Sequence, residues 1–193
     1  PSLVVLITTV GCLMVTALSL AREKEEGTFD QLLVTPLTHA YIMVGMAVPA
    51  ICVAMVQGMI IAAAAVWIFQ VPYTGSVPLL FLSMFCYGLS LVGFGFLISS
   101  VCDTQQQAFL GAFCFIAPAV VLSGYLAPVE NMPFLLRMMS MADPLTHFIE
   151  ITKGLFLKNY GFSQIWPNLW PLLVIAVATT LSAYILFRRR STQ

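Results

Sequence analysis

From Gln31 to Cys102 the chain carries not one Asp, Glu, Lys or Arg, and from Thr104 to Val129 there is again none. A charge at the centre of a membrane helix costs about 3 kcal/mol even on the lenient insertion scale. Stretches that avoid charge for so long are suited to lipid. An ordinary soluble domain has roughly 25% charged residues; here the figure is 8%, against 60% hydrophobic. A body of 193 residues cannot hide that much apolar surface while keeping a polar outside. The fold class is therefore an all-α integral membrane protein, with the lipid bilayer as its solvent. The net charge is zero, which leaves no electrostatic footprint for nucleic acid.

A helix crossing the hydrocarbon needs about 20 residues, each rising about 1.5 Å. Five segments qualify: 2–21, 41–70, 77–101, 107–125 and 169–187, all within a single transmembrane domain covering 1–193. The second is long enough to tilt or to kink at Pro49. Arg22 and Lys24 follow the first span and Arg188, Arg189 and Arg190 follow the last. Lys and Arg collect on the cytoplasmic side, so both flanks and the C-terminus are placed inside. Trp67, Tyr73, Tyr125, Tyr160, Trp166 and Trp170 then fall near the outer interface and Tyr41 and Tyr184 near the inner one, the depth such side chains prefer.

Two connecting segments have structure of their own. In 22–38, Thr28 and Gln31 have capping-box spacing, Phe29, Leu32 and Leu33 share one side, and Pro36 disfavours further helix. A short amphipathic cytoplasmic helix is expected over Thr28–Val34, led by Glu23, Glu25 and Glu26. Its acidic approach suits a protein partner better than an anionic leaflet. In 127–159, Pro133 opens one short helix with Phe134, Leu135, Met138 and Met139 on its apolar side. Asp143 and Pro144 read as N-cap and first residue of a second, burying Leu145, Phe148, Ile149, Thr152, Leu155 and Phe156. Both are too short to span and are expected as interfacial or re-entrant helices at the outer mouth. Glu150 and Lys153 read as a surface pair, and His147 as a capping or solvated residue.

Catalytic motifs are missing. There is no phosphate-binding loop of the G-x-x-x-x-G-K-[ST] kind, and Ser123-Gly124 with His147 lacks a nucleophile-elbow pattern. Cys12, Cys52, Cys86, Cys102 and Cys114 are widely spaced and read as packing residues, with no metal site expected. Gly95 and Ser99 suit close helix packing. Gln57 reads as an interhelical hydrogen-bonding residue, and Gln105–Gln107 as a helix start. With no carboxylate expected inside the bilayer, the coupling group of an ion-driven transporter is missing, so energy for uphill transport would enter from outside the membrane domain.

The stretch Arg22-Glu-Lys-Glu-Glu-Gly-Thr-Phe-Asp-Gln-Leu-Leu-Val-Thr-Pro-Leu37 resembles the cytoplasmic signature of type-2 ABC transporter permeases. So do Leu122-Ser-Gly-Tyr125, Pro128, Glu130-Asn-Met-Pro133, Asp143-Pro-Leu-Thr146 and Gly154-Leu-Phe-Leu-Lys158, which are similar to the family's outer re-entrant region. The family commonly has Asn where Asp143 stands. The likeness is strongest to bacterial multidrug-type permeases of the inner membrane. It implies six spans per subunit, so that the first lies outside this chain, together with the outer domain that follows it in multidrug-type members. It further implies a second permease, either a second copy or a paralogue, and separate ATP-binding subunits holding ATP and Mg. The cargo would be a small amphiphilic compound moved outward. Carried over by position, Gly27 to Pro36 is the coupling helix, with Phe29, Leu32 and Leu33 as apolar contacts and Glu23, Glu25, Glu26, Thr28 and Gln31 around them. Pro128, Pro133, Asp143, Pro144 and Gly154 mark the outer re-entrant gate. A passive channel is the competing reading; it would require a polar pore ring, for which the spans offer little beyond Gln57 and the Gln105–Gln107 run.

Overall fold

The computed structural model describes residues 2–190. Its helices are α1 Ser2–Glu25, α2 Thr28–Val34, α3 His39–Trp67, α4 Val77–Val101, α5 Gln105–Leu122, α6 Phe134–Met141, α7 Pro144–Leu157 and α8 Phe162–Arg190, with a 3-10 turn at Val129–Asn131 between α5 and α6. There is no strand among the described residues. Five helices, α1, α3, α4, α5 and α8, are long and apolar enough to cross a membrane.

The expected spans are found, with shifted ends. The fifth begins seven residues earlier than expected, at Phe162 rather than Leu169, because Pro167 and Pro171 lie inside α8 without stopping it. The Gln105–Gln107 run does open a helix, for Thr104 caps α5 by accepting from the Gln107 amide at 3.3 Å.

α4 is the central post, and glycines set how closely its neighbours approach. A Cβ on Gly93 would lie 2.0 Å from Thr179 Oγ1 on α8, and one on Gly95 would lie 2.6 Å from Thr16 Cβ on α1. The small residues Ala50, Ala54, Gly58 and Ala62 form the buried stripe of α3; Gly58 faces Met84 and Thr8. The opposite face of α3 exposes Tyr41, Val44, Val48, Val56 and Ile60, an apolar surface that only lipid or another membrane helix would accept. Cys12, Cys86 and Cys102 are buried packing residues, whereas Cys52 and Cys114 lie on the outside of the bundle.

Gln57 departs from expectation. Its amide is laid against the backbone at Gly11, where a Cβ would lie 1.9 Å from Oε1. It lines an open apolar hollow with Ile7, Val53 and Ile60, rather than bridging two helices by a hydrogen bond.

Candidate functional site

Two constructions stand at opposite ends of the bundle. At the end carrying the basic flanks, α2 hangs outside the spans. It is not started by the expected capping box: the N-cap is Gly27, in the left-handed region at φ 72°, and Thr28 is already helical. The Thr28 hydroxyl instead donates to the Glu23 carbonyl at 3.3 Å and to the Glu23 carboxylate, tying α2 back to the end of α1. Gly27 reverses the chain between the two helices in a conformation that side chains rarely adopt.

Phe29 faces inward. Its ring meets Phe187 of α8 edge-on at 5.1 Å, and His39 meets the other side of Phe187 at 5.5 Å. Phe29, expected among the apolar partner contacts, is half-buried and seats α2 on α8. Leu32 is half-buried, and the Leu33 side chain lies outside the described residues. The apolar residues that α2 and its exit present outward are Val34, 86% exposed, and Leu37, 54% exposed. Asp30, Gln31 and Pro36 are exposed with them.

The acidic run is also used largely within the chain. Glu23 holds Thr28. The Glu25 carboxylate accepts from the backbone and side-chain amides of Gln105, at 3.0 and 3.1 Å, at the start of α5. A carboxylate there satisfies free amides and sits favourably at the positive end of the helix dipole. Glu26 pairs with Arg22 of α1 at 2.8 Å on the exposed side.

Between them stands Lys24, whose role was not anticipated. Its ammonium donates to the carbonyls of Ser99 at 2.6 Å and Cys102 at 3.0 Å, with Ser100 at 3.5 Å. These carbonyls lie at the end of α4, where the helix ladder runs out and a cation is well placed; that of Ser99 also accepts from the Cys102 N–H at 3.3 Å. Arg190 of α8 reaches Asp103 in the same turn at 3.1 Å. A cleft of about 260 Å³ lies amid Lys24, Gly27, Phe29, Asp103, Phe187 and Arg190. The sequence marks both basic flanks, but nothing local says which carbonyls a lysine will reach 75 residues away.

At the other end the 127–159 segment is a re-entrant hairpin. The last turn of α7 is fixed at the mouth of the bundle: the Thr74 hydroxyl donates to the Phe156 carbonyl at 3.4 Å and Tyr73 packs edge-on against Phe156 at 5.0 Å. Further in, Phe148 stacks on Tyr87 at 4.2 Å. Tyr87 is roughly 15 Å of helix rise from the start of α4. α7 therefore runs from a deep start to an outer end, and α6 is the descending arm. The expected buried face of α7 is present in full, with Leu145, Phe148, Ile149, Thr152, Leu155 and Phe156 all at 2% exposure or less. Gly154 leaves room for the Tyr160 ring, which a Cβ would meet at 2.0 Å.

On α6 the apolar side points away from the bundle: Phe134, Leu135, Met138 and Met139 are all more than half exposed, and only Ser140 is buried. Pro133 precedes α6 as its N-cap and Pro128 precedes the 3-10 turn, both exposed. His147 bridges the Met141 carbonyl at 2.8 Å and the Asn168 side chain at 3.2 Å, so it caps α6 as expected. It is not paired with Ser123, whose hydroxyl donates to Val120. Glu150 and Lys153 form no ion pair with each other among the described residues.

Asp143 carries the main correction. It is the expected N-cap of α7, accepting from the Leu145 amide at 3.1 Å. The sequence reading placed it at the outer mouth, as the cap of an interfacial or re-entrant helix. The hairpin instead folds it into the bundle at 7% exposure, so the membrane domain does hold a buried carboxyl. Burial pushes that carboxyl up to about 7, against the pull of the Leu145 N–H.

Five helices fit to span a membrane, a short helix beneath one end and a helical hairpin at the other define a polytopic membrane protein. The chain belongs to the ABC-2 type transporter family, whose description matches residues 1–157. It is 53% identical over 190 residues to the probable multidrug ABC transporter permease YbhR of Escherichia coli K12, covering 98% of this chain and 52% of that one. It is 30% identical to the probable multidrug ABC transporter permease YbhS of the same strain, over 97% of this chain and 48% of that one. With the inner membrane transport permease YhhJ the identity is 28%, over 94% and 49%. The chain thus spans about half the length of the curated relatives it matches. No solved structure matches it.

Proposed function

We propose that this chain is about half of a permease subunit of an ATP-driven exporter in a bacterial inner membrane, holding most of its membrane part and moving a small amphiphilic compound outward. ATP and Mg would be held on a separate ATP-binding subunit, and a second permease, identical or related, would complete the pathway. The names of the relatives support the reading, as does the absence of a phosphate-binding loop here. The basic flanks put α2 and the C-terminus in the cytoplasm by the positive-inside rule.

One observation carries the proposal. α2 is pegged to α1 through Thr28 and to α8 through Phe29, yet it presents Val34 and Leu37 to the outside. A short helix so anchored can take a push from a partner and pass it to two spans at once. A passive channel is less well supported: Gln57 faces an open flank, and Gln105 and Gln107 are used in the α4–α5 turn.

The test is co-purification of the full-length permease from native membranes. Val34→Asp with Leu37→Asp should cut recovery of the ATP-binding chain more than about tenfold, as expected when central apolar contacts are replaced by charge. The amount of permease in the membrane should stay the same. Unchanged recovery of the ATP-binding chain would remove α2 as the docking element.

A further inference from the structure

Asp143 can cap α7 with one oxygen and still has another to account for. Oδ1 takes the Leu145 amide; Oδ2 is buried with no hydrogen-bond partner, and the neighbouring Thr146 hydroxyl is likewise buried and unpartnered. A neutral Asn would cap equally well, so capping does not explain an ionisable side chain here. An ionised carboxylate at this position would need a cation or several N–H donors.

The surroundings supply neither. From α4 the group facing it is Tyr87, fully buried and hydrogen-bonded to Thr9 of α1. Cys12 of α1 lies beyond, its thiol turned to the Gly88 carbonyl at 3.8 Å. From α8, Asn168 is engaged by His147. On α6, Arg137 is exposed, and on α7 itself Glu150 and Lys153 are exposed while His147 is turned toward Met141. No described Lys, Arg or His contacts Asp143.

We propose that Asp143 is a proton-binding site at the inner tip of the re-entrant hairpin: a proton from water on Oδ2 keeps α7 seated in the bundle, and its loss to water loosens that seat. The neutral acid suits burial; the anion, helped only by the Leu145 N–H and the neighbouring Thr146 hydroxyl and facing no counter-ion, favours any arrangement that brings it to water. The direction follows from linkage. The seated state binds the proton more tightly than a hydrated carboxyl does, so seating is fully favoured below the ordinary carboxylate range. It weakens as pH rises, and the loss is complete above about 7. The consequence for the outer mouth rests on the exporter reading above; the proton site does not.

Two measurements on the full-length permease separate these. Infrared difference spectra taken across pH should show a protonated-carboxyl band that titrates near neutrality in the native protein and is missing from Asp143→Asn. Absence of the band, or its persistence in the variant, would overturn the proton site whatever the protein transports. Hydrogen exchange of the α7 peptide, expressed as native over Asp143→Asn so that intrinsic chemistry cancels, should rise by about tenfold or more from about pH 5 to about pH 8. A flat ratio would refute the link between the proton and the seating of α7. Because Asn keeps the cap and removes the charge, the variant should fold.

Discussion

Gly93→Leu should prevent α4 from closing on α8, and with it the assembly of the bundle. The first carbon of any side chain at that position would lie 2.0 Å from Thr179 Oγ1, 2.8 Å from Thr179 Cβ and 3.1 Å from the backbone nitrogen of Thr180. Thr179 cannot simply turn away: its hydroxyl is bonded to the Ile175 carbonyl at 2.7 Å inside α8, and the Thr180 nitrogen is backbone. Overpacking in a tight interior costs about 1–3 kcal/mol even when side chains can shift; a leucine that must push two helix backbones apart should exceed that range. The expected result is loss of monodisperse protein in detergent and a large drop in thermal unfolding temperature. Gly88→Ala on the same helix is the control, since its Cβ would meet nothing nearer than 4.0 Å, and it should behave as the native protein. A native-like Gly93→Leu would show that α4 and α8 are not closely packed.

What could be read from the sequence follows from which forces act locally. Span positions rest on the hydrophobic run and the absence of charge, properties of contiguous residues, and they were legible to within a few residues except at the start of α8, which lies seven residues earlier than expected. The buried face of α7 was legible for the same reason: period, cap and first-turn proline all lie within Asp143–Phe156. Depth was not. Asp143 sits 19 residues before the start of α8, in a segment with charges of both signs, whose composition fits the outer mouth. Only the stacking of Phe148 on Tyr87 and the fixing of Phe156 at the mouth show that the segment dips inward. The acidic run before α2 was misread similarly. Glu23 and Glu25 looked like a polar approach for a partner because the donors they accept from, the Thr28 hydroxyl and the amides of Gln105, are respectively about one turn and 80 residues on. The argument that energy must enter from outside also loses one support. It relied on an absence of intramembrane carboxyls that the hairpin reverses, and now rests on α2 and on the relatives.

Lys24→Met is expected to separate motion at α2 from motion of the spans. Met keeps much of the apolar stem, so packing along α1 is largely retained; the ammonium and its bonds to the Ser99 and Cys102 carbonyls are lost. Hydrogen bonds from charged groups contribute about 1.5–3 kcal/mol, toward the lower end where the group is half-exposed, and the freed carbonyls at the end of α4 would turn to water. Local opening should follow, read as faster amide exchange across Ser99–Gln105 with the rest of α4 unchanged. The larger effect concerns coupling. α2 touches α1 and α8 directly, but α4, the central post, is tied to the end of α1 through Lys24. Energetic coupling between distant parts needs such a continuous path of contacts. In the assembled transporter, Lys24→Met should therefore lower export several-fold more than it lowers ATP hydrolysis, whereas Glu26→Gln, which affects only the outward-facing pair with Arg22, should change neither. Equal loss of both activities in Lys24→Met would make the lysine a plain structural cap, and the path from α2 to α4 would have to run through the Phe187 contact instead.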